Sequence, residues 1–294
     1  MNRKKIAQRR SLQNVVKNTH YQGCTFYLEH PIVDIENVIF ENCSFRTAKV
    51  RFRNLKKTKF KNCNINTLVL KEFNEIELEA GYIDDLDLEL KPTSPPLLCG
   101  KVTFSQNIRI KKIRWQNASP FIDDVINNIH IPSLVSLHYV VFFHVENEID
   151  NRILSMYPSL KNGDELKLSH LHALTTLGLT DYALSKIPNL PKSMTKINLS
   201  HNSICEKHCN SLSMLDCLSK LNLSYNAFEN FPLALINLKN LETLDLSHNR
   251  LSSIPSQISQ LSKLRYLNLS ANSLSSVAKK NIAIWLPNCS KIDL

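Results

Sequence analysis

Four segments in the carboxy-terminal part of the chain repeat one pattern, and this pattern constrains the fold most strongly. In each segment two apolar residues stand two positions apart, and an asparagine follows three residues after the second. The asparagines are spaced 24, 23 and 23 residues apart: Asn202, Asn226, Asn249 and Asn272. Because side chains of a strand alternate between its faces, each apolar pair predicts a short strand with one buried face. Strands repeated at this interval predict a solenoid.

The segments resemble leucine-rich repeats, whose consensus is LxxLxLxxNxL. The chain reads LSKLNLSYNAF, LETLDLSHNRL and LRYLNLSANSL, and the array is predicted over residues 166–294. An earlier copy, LTTLGLTDYAL, has Tyr182 at the asparagine position and is expected to be a distorted edge of the array. Each asparagine amide is expected to be buried and to hydrogen-bond backbone groups of neighbouring coils. Pro232 and Pro255 predict irregular or extended return segments, because proline cannot donate to a strand ladder.

A five-residue period runs through the amino-terminal part. Apolar residues occupy each fifth position at Ile35, Phe40, Phe45, Val50, Leu55, Phe60, Ile65 and Leu70, and again at Leu78, Ile83 and Leu88. This resembles the pentapeptide-repeat family, in which a β-helix takes four five-residue sides per coil. The resemblance implies β-helix-like coils of about twenty residues over residues 21–115. Arg53, in a slot for small residues, and Glu75, in a central slot, depart from the pattern.

Three cysteines recur at nearly the same interval, at Cys24, Cys43 and Cys63. Unpaired cysteine is among the most often buried residue types, so these side chains are expected to stack inside successive coils. The fold class predicted for the whole chain is an α/β solenoid, with amino-terminal β-helix-like coils followed by the leucine-rich repeat array. Residues 1–20 are interpreted as a basic tail or cap. Residues 116–165 are interpreted as an adaptor whose helix is capped by Ser119.

Composition excludes several classes of function. The chain has only 5 glycines and no glycine-rich phosphate-binding motif, so no nucleotide cofactor is expected. It has no apolar run long enough for a membrane span and no apolar stretch after its basic start. Eight cysteines without a secretion signal are interpreted as reduced thiols. The expected location is the cytoplasm, or a host cell cytoplasm after secretion without a signal peptide.

No catalytic signature is present, and the chain is predicted not to be an enzyme. The alternative is an enzyme site in residues 91–170, with His130, His138 and His144 as candidates. Cys205 and Cys209 have a spacing that zinc sites use, but they fall where the neighbouring repeats have the convex segment that leads from one strand back to the next. They are therefore interpreted as part of a polar, helical return, and no metal is expected.

Charge is unevenly distributed. Basic residues without acids run from Arg46 to Lys61, and acids without bases run from Glu72 to Glu89. Neighbouring coils could pair these charges, or the two runs could form a bipolar surface that orients a partner. The net charge of +10 leaves a nucleic-acid or ribonucleoprotein binder as an alternative function.

The predicted function is non-enzymatic protein binding through the concave face of the leucine-rich repeats. Outward positions of the strands mix amide, imidazole and phenol groups, which suit hydrogen bonding with a protein surface. The predicted binding residues are Lys196, Asn198, His201, Lys220, Asn222, Tyr225, Thr243, Asp245, His248, Tyr266 and Asn268. Tyr225 and Tyr266 are the expected anchors, and a solvated polar face is the alternative. The frequent Lys, Asn and Ile residues, the few glycines and the leucine-rich repeats resemble secreted effectors of intracellular bacteria such as Legionella, which implies a host protein as partner. The chain is expected to be a monomer.

Overall fold

The computed structural model describes residues 5–8, 11–89, 102–105, 107–116, 136–140, 168–169, 171–180 and 184–294. The chain divides into two compact units, Met1–His138 and Tyr139–Leu294. Three sequence predictions lie outside the described residues: the helix capped by Ser119, the distorted coil around Tyr182, and the candidates His130 and His144. No helix among the described residues is both long and apolar enough to cross a bilayer.

The first unit is built of parallel strands joined by short turns. They are β1 Lys5–Gln8, β2 Ser11–Leu12, β3 Thr19–Gln22, β4 Thr25–Phe26, β5 Ile32–Glu36, β6 Ile39–Glu41, β7 Ser44–Phe45, β8 Lys49–Glu89, β9 Val102–Phe104 and β10 Ile108–Gln116. A further strand, β11, spans Ser136–Val140. Lys5 of β1 pairs with Thr19 of β3, so parallel pairing begins within the segment that the sequence assigned to a basic tail or cap.

Residues about twenty positions apart are strand neighbours in this unit. Tyr21 pairs with Phe40, and Phe40 pairs with Phe60. The three rings stack through the core, with centroids 5.5 and 4.9 Å apart. This parallel stacking fits a solenoid, and the interval agrees with the five-residue period.

Central positions of the five-residue period are buried, but the smaller positions two residues earlier are not uniform. Phe40 and Leu55 are fully buried, whereas Val33 is 49% exposed. Arg53 also points outward, where its Nε lies 3.4 Å from Glu72 Oε1. Val33 and Arg53 therefore lie outside the core, and Arg53 is the residue that departs from the sequence pattern at these positions. Arg53 consequently causes no conflict with the core.

The chain turns at residues with positive φ, and asparagine is the commonest of them among the described residues. Asn42 and Asn62 have φ of 53° and 52°, a region that asparagine tolerates better than most residues. Their side chains stack as well, since Asn62 Nδ2 donates to Asn42 Oδ1 at 2.7 Å. At Gly81, with φ of 94°, an added Cβ would lie 2.3 Å from the Cys63 carbonyl oxygen, so the position requires glycine.

The three stacked cysteines are buried, as predicted from their interval. Cys24, Cys43 and Cys63 are each no more than 2% exposed. The backbone N–H groups that follow Cys43 and Cys63 donate to the carbonyls of Cys24 and Cys43, at 2.9 and 3.3 Å. Cys43 and Cys63 donate their thiol protons to backbone carbonyls of Tyr21 and Phe40, both at 3.4 Å. The thiols therefore fill the core and satisfy backbone acceptors.

The second unit repeats one strand and one return segment. Its strands are β12 Thr176–Thr180, β13 Lys196–Asn198, β14 Lys220–Asn222, β15 Thr243–Asp245, β16 Tyr266–Asn268 and β17 Lys291–Asp293. They pair in parallel, each with the next. The returns contain 3-10 helices at Glu206–His208, Asn210–Met214, Leu233–Asn237 and Ser256–Gln260, and the helix α1 at Ser276–Trp285. Pro232 and Pro255 are extended residues directly before two of the 3-10 helices, in agreement with the predicted returns.

The repeated asparagines form the expected ladder between coils. Asn226 Nδ2 donates to the carbonyls of Leu199 and Leu223 at 2.9 and 3.1 Å, and its Oδ1 accepts from the Ile204 N–H at 3.0 Å. Asn202, Asn249 and Asn272 make the corresponding bonds. Each amide therefore fixes the register between its own coil and the preceding one.

The return that holds Cys205 and Cys209 consists of two successive 3-10 helices, which agrees with a polar, helical return. Cys209 is fully buried, and burial raises the pKa of its thiol to about 12. Within the described part of the chain, no group of three or more potential ligand side chains could hold a metal ion.

Candidate functional site

Strands β13–β16 place the predicted binding residues in columns on the side opposite the buried leucines. This side is hereafter called the strand face. The first column is formed by strand-register partners Lys196, Lys220, Thr243 and Tyr266. The second column is formed in the same way by Asn198, Asn222, Asp245 and Asn268. The structure therefore brings together the residues that the sequence placed on one surface.

The third column is a stack of aromatic rings. His201 and Tyr225 have ring centroids 4.1 Å apart, and Tyr225 and His248 have centroids 3.9 Å apart, with interplanar angles of 12° and 9°. All three side chains are exposed, Tyr225 by 44%. At the next position of the column, Ala271 ends the stack because it has no ring.

Backbone geometry holds these rings in place. His201, Tyr225 and His248 have φ between 52° and 55°, a conformation rarely adopted by bulky residues. Their N–H groups donate to serine carbonyls of the next coil at 2.9 to 3.0 Å. The repeat therefore fixes the backbone from which each ring projects.

The second column has a structural function in addition to its position on the surface. Oδ1 of Asn198 accepts the Ser200 N–H at 3.0 Å, and Oδ1 of Asn222 accepts the Ser224 N–H at 2.8 Å. Asp245 and Asn268 accept from the next two serines in the same way. Ser247 and Ser270 also donate their hydroxyl protons to Asp245 and Asn268, both at 2.7 Å.

Tyr266 is bonded within the chain. Its hydroxyl donates to Asp293 Oδ2 at 3.0 Å, and Lys291 Nζ lies 5.1 Å from its ring centroid. Burial and the Asp293 carboxylate raise the pKa of Tyr266. Lys291 and Asp293 are strand-face residues that the sequence prediction missed. The alternation of polar and apolar residues in the final segment, KIDL, could have identified them. In the structure they are the register partners of Tyr266 and Asn268.

Charges of the first unit pair between coils. Lys59 Nζ lies 3.2 Å from Glu77 and also contacts Glu79, and Lys71 Nζ lies 2.6 Å from Glu89. These hydrogen bonds raise the pKa of Lys59 and lower that of Glu79. Of the two interpretations of the basic and acidic runs, the geometry favours mutual pairing over a bipolar surface.

Comparison with known proteins identifies part of the repeat array. Residues 239–279 match the family model described as Leucine Rich repeats (2 copies). Among solved structures, the chain is similar to an internalin C2 from Listeria monocytogenes, with 20% identity, coverage of 64% of this chain and 70% of that chain, and a TM-score of 0.43. It is also similar to a leucine-rich repeat protein from Leptospira interrogans, with 18% identity, coverage of 93% and 72%, and a TM-score of 0.44.

A second internalin from Listeria monocytogenes is similar at 13% identity, over 88% of this chain and 80% of that chain, with a TM-score of 0.41. No curated protein sequence matches this chain. The family match falls on the coils that contain β15 and β16, where the asparagine ladder and the strand register have the expected form. The carboxy-terminal region of the chain therefore carries leucine-rich repeats.

Proposed function

We propose that the chain is a non-enzymatic protein-binding module that holds a partner protein against the strand face. The observation that carries this proposal is the exposed ring stack of His201, Tyr225 and His248. Aromatic residues dominate the energetics of many protein interfaces. Rings already fixed in the free protein lose little conformational freedom on binding, which favours affinity.

The surroundings of the stack support the same function. Polar groups of the first two columns lie beside the rings, as polar groups surround the anchors of typical interfaces. Solenoid repeats present extended surfaces of this kind to their partners. A partner that spans β13–β16 would contact all three columns at once.

The remaining assignments are proposals that accompany this function. The first unit is proposed to be a pentapeptide-like β-helix over residues 21–115, supported by parallel pairing at intervals near twenty residues. Residues 116–165 are proposed to be the adaptor and residues 166–294 the repeat array. The partner is proposed to be a host protein, reached in the host cytoplasm by a monomeric effector. The frequent Lys, Asn and Ile residues, the few glycines and the leucine-rich repeats, which resemble those of secreted bacterial effectors, support this part.

The test is affinity capture from candidate host lysates, followed by a binding measurement with the purified partner. The variant Tyr225→Ala/His248→Ala should bind about tenfold more weakly or worse, because it removes two of three stacked rings. The control is Met214→Ala/Leu233→Ala, which removes exposed apolar groups from two return segments. The control should bind as the unmodified chain does. Full affinity of the Tyr225→Ala/His248→Ala variant, with its fold intact, would reject the proposed function.

A further inference from the structure

We infer that the partner presents an acidic segment, whose carboxylates bind a patch of hydrogen-bond donors at one end of the strand face. The patch consists of Lys196 and Asn198 on β13 and Lys220 and Asn222 on β14, hereafter the donor patch. This inference rests on the proposed function, because it describes the chemistry of the partner at the same face.

The four side chains form a compact group. Lys196 is the register partner of Lys220, and Asn198 is the register partner of Asn222. Neighbouring strands lie about 4.8 Å apart, and alternate residues of one strand lie about 7 Å apart. A carboxylate, or two carboxylates on alternate residues of an extended segment, fits these dimensions.

The hydrogen bonds of the two asparagines determine which groups they offer a partner. The side-chain oxygens of Asn198 and Asn222 accept N–H groups of Ser200 and Ser224. Within the described part of the chain, no hydrogen bond from Nδ2 of either residue is found. Each asparagine therefore presents its amide N–H₂ group. Together with two ammonium groups, the patch offers donors to a partner, which matches an anion.

The donor patch carries two ammonium groups and lies next to one carboxylate, that of Asp245, which is the register partner of Asn222 and bonds Ser247 and Asn268. Lys196 and Lys220 are exposed and lie opposite each other on paired strands. Like charges in this arrangement destabilise the fold. Among the described residues, neither ammonium group has a carboxylate within ion-pair distance. At the other end of the strand face, Lys291 lies 3.1 Å from Asp293, and Asn268 Nδ2 donates to Asp245 at 3.2 Å. Among the described residues of the strand face, the lysines without an ion-pair partner therefore lie at the β13–β14 end.

The ring stack favours a protein over a nucleic acid as the source of the negative charge. Bases bind aromatic residues by stacking on an open ring face. Both faces of Tyr225 are covered by histidine rings at 4.1 and 3.9 Å, so no base can insert there. An acidic protein segment needs no stacking contact with these rings to reach the donor patch.

The test measures binding of a short fluorescein-labelled peptide that alternates glutamate with serine, by fluorescence anisotropy at physiological ionic strength. A peptide that alternates glutamine with serine is the uncharged control. The variant Lys196→Glu/Lys220→Glu should bind the acidic peptide about tenfold more weakly or worse. The milder variant Lys196→Gln/Lys220→Gln should weaken binding in the same direction. The matched control is Lys279→Glu/Lys280→Glu in α1, which changes the net charge by the same amount away from β13–β14.

The matched control should bind the acidic peptide almost as the unmodified chain does. If it loses as much affinity as the donor-patch variants, the attraction comes from net charge and the inference is wrong. A single-stranded RNA that outcompetes the peptide at the donor patch would also overturn it.

Once a partner is purified, loss of its binding in Tyr225→Ala/His248→Ala but not in Lys196→Glu/Lys220→Glu would leave the proposed function standing and reject the acidic segment. If peptide binding depends on the two lysines but the partner binds the Tyr225→Ala/His248→Ala variant at full affinity, the proposed function is rejected and the inference about the donor patch is not.

Discussion

Asn249 donates a hydrogen bond from Nδ2 to the carbonyl oxygen of Leu223 at 3.1 Å, across 26 residues of chain. The same amide donates to the Leu246 carbonyl at 3.0 Å, and its oxygen accepts the Phe228 N–H at 3.1 Å. Only 8% of Asn249 is exposed. One buried side chain thus joins two coils through backbone groups of both.

Replacing Asn249 with alanine should lower the free energy of unfolding by about 2–4 kcal/mol, because buried backbone groups would lose their partners. Urea unfolding followed by circular dichroism measures this loss. The control Asn210→Ala removes an exposed asparagine of a return segment and should change stability by less than about 0.5 kcal/mol. Equal stability of the two variants would contradict the structural function of the ladder.

The parts of the fold predicted from the sequence are those in which one residue type has one physical function at a fixed interval. The ladder asparagines are such a case, because the position needs a small amide with both donors and an acceptor. Central apolar positions such as Phe40 and Leu55 are another, because each must enter the core. Both patterns repeat, so their register follows from counting residues.

Other features depended on details that counting does not provide. Helix α1 stands where the preceding repeats have a 3-10 helix in the return segment. Ser275 caps α1 by accepting the Ala278 N–H at 3.1 Å. The columns of the strand face were predicted, but the ring stack depends on the positive φ of Tyr225 and its neighbours. The bond of Tyr266 to Asp293 is a further case, since it required the position of the final strand.

The aromatic core of the first unit should be sensitive to the loss of one ring. Phe40 is fully buried, and its centroid lies 4.9 Å from that of Phe60 and 5.4 Å from that of Phe26. Phe40→Ala should destabilise this unit by about 3–5 kcal/mol through the cavity it leaves. Limited proteolysis and urea unfolding measure the effect. Tyr27→Ala, at a ring that is 47% exposed, should cost far less, and a similar cost for both would contradict the proposed core.

The thiols should differ in reactivity according to burial. Cys217 is exposed, whereas Cys43, Cys63 and Cys209 are buried. The neighbouring Cys43 thiol and burial raise the pKa of Cys63 well above its ordinary value, and burial raises the pKa of Cys209 to about 12. Because the thiolate is the reactive form, iodoacetamide should label Cys217 before Cys43, Cys63 and Cys209 in the native protein. Peptide mass spectrometry measures the order, and rapid labelling of Cys63 before unfolding would show that the coils do not enclose it.

Acid should weaken one contact between coils. Glu41 Oε1 lies 3.0 Å from Lys61 Nζ, and its Oε2 lies 2.9 Å from His20 Nε2. The hydrogen bond from Lys61, followed by that from His20, lowers the pKa of Glu41. A carboxylate whose pKa is lower in the folded state stabilises the fold above its unfolded pKa, and this stabilisation is lost as the pH falls through the folded pKa.

The variant Glu41→Gln should therefore be less stable than the unmodified chain near neutral pH. The difference should shrink as the pH falls below about 4, where the unmodified carboxyl becomes protonated. Urea midpoints measured across this range provide the comparison. A difference that does not change with pH would mean that the charge of Glu41 does not contribute.

Photo-crosslinking from the strand face shows whether a protein contacts the ring stack. A benzoylphenylalanine in place of Tyr225 reports which molecules contact the ring stack, and the same group in place of Met214 reports on an exposed return segment. We expect covalent capture of one partner protein from the Tyr225 position and none of that protein from the Met214 position. Capture of the same protein from Met214 alone, or of RNA in place of protein at Tyr225, would contradict it.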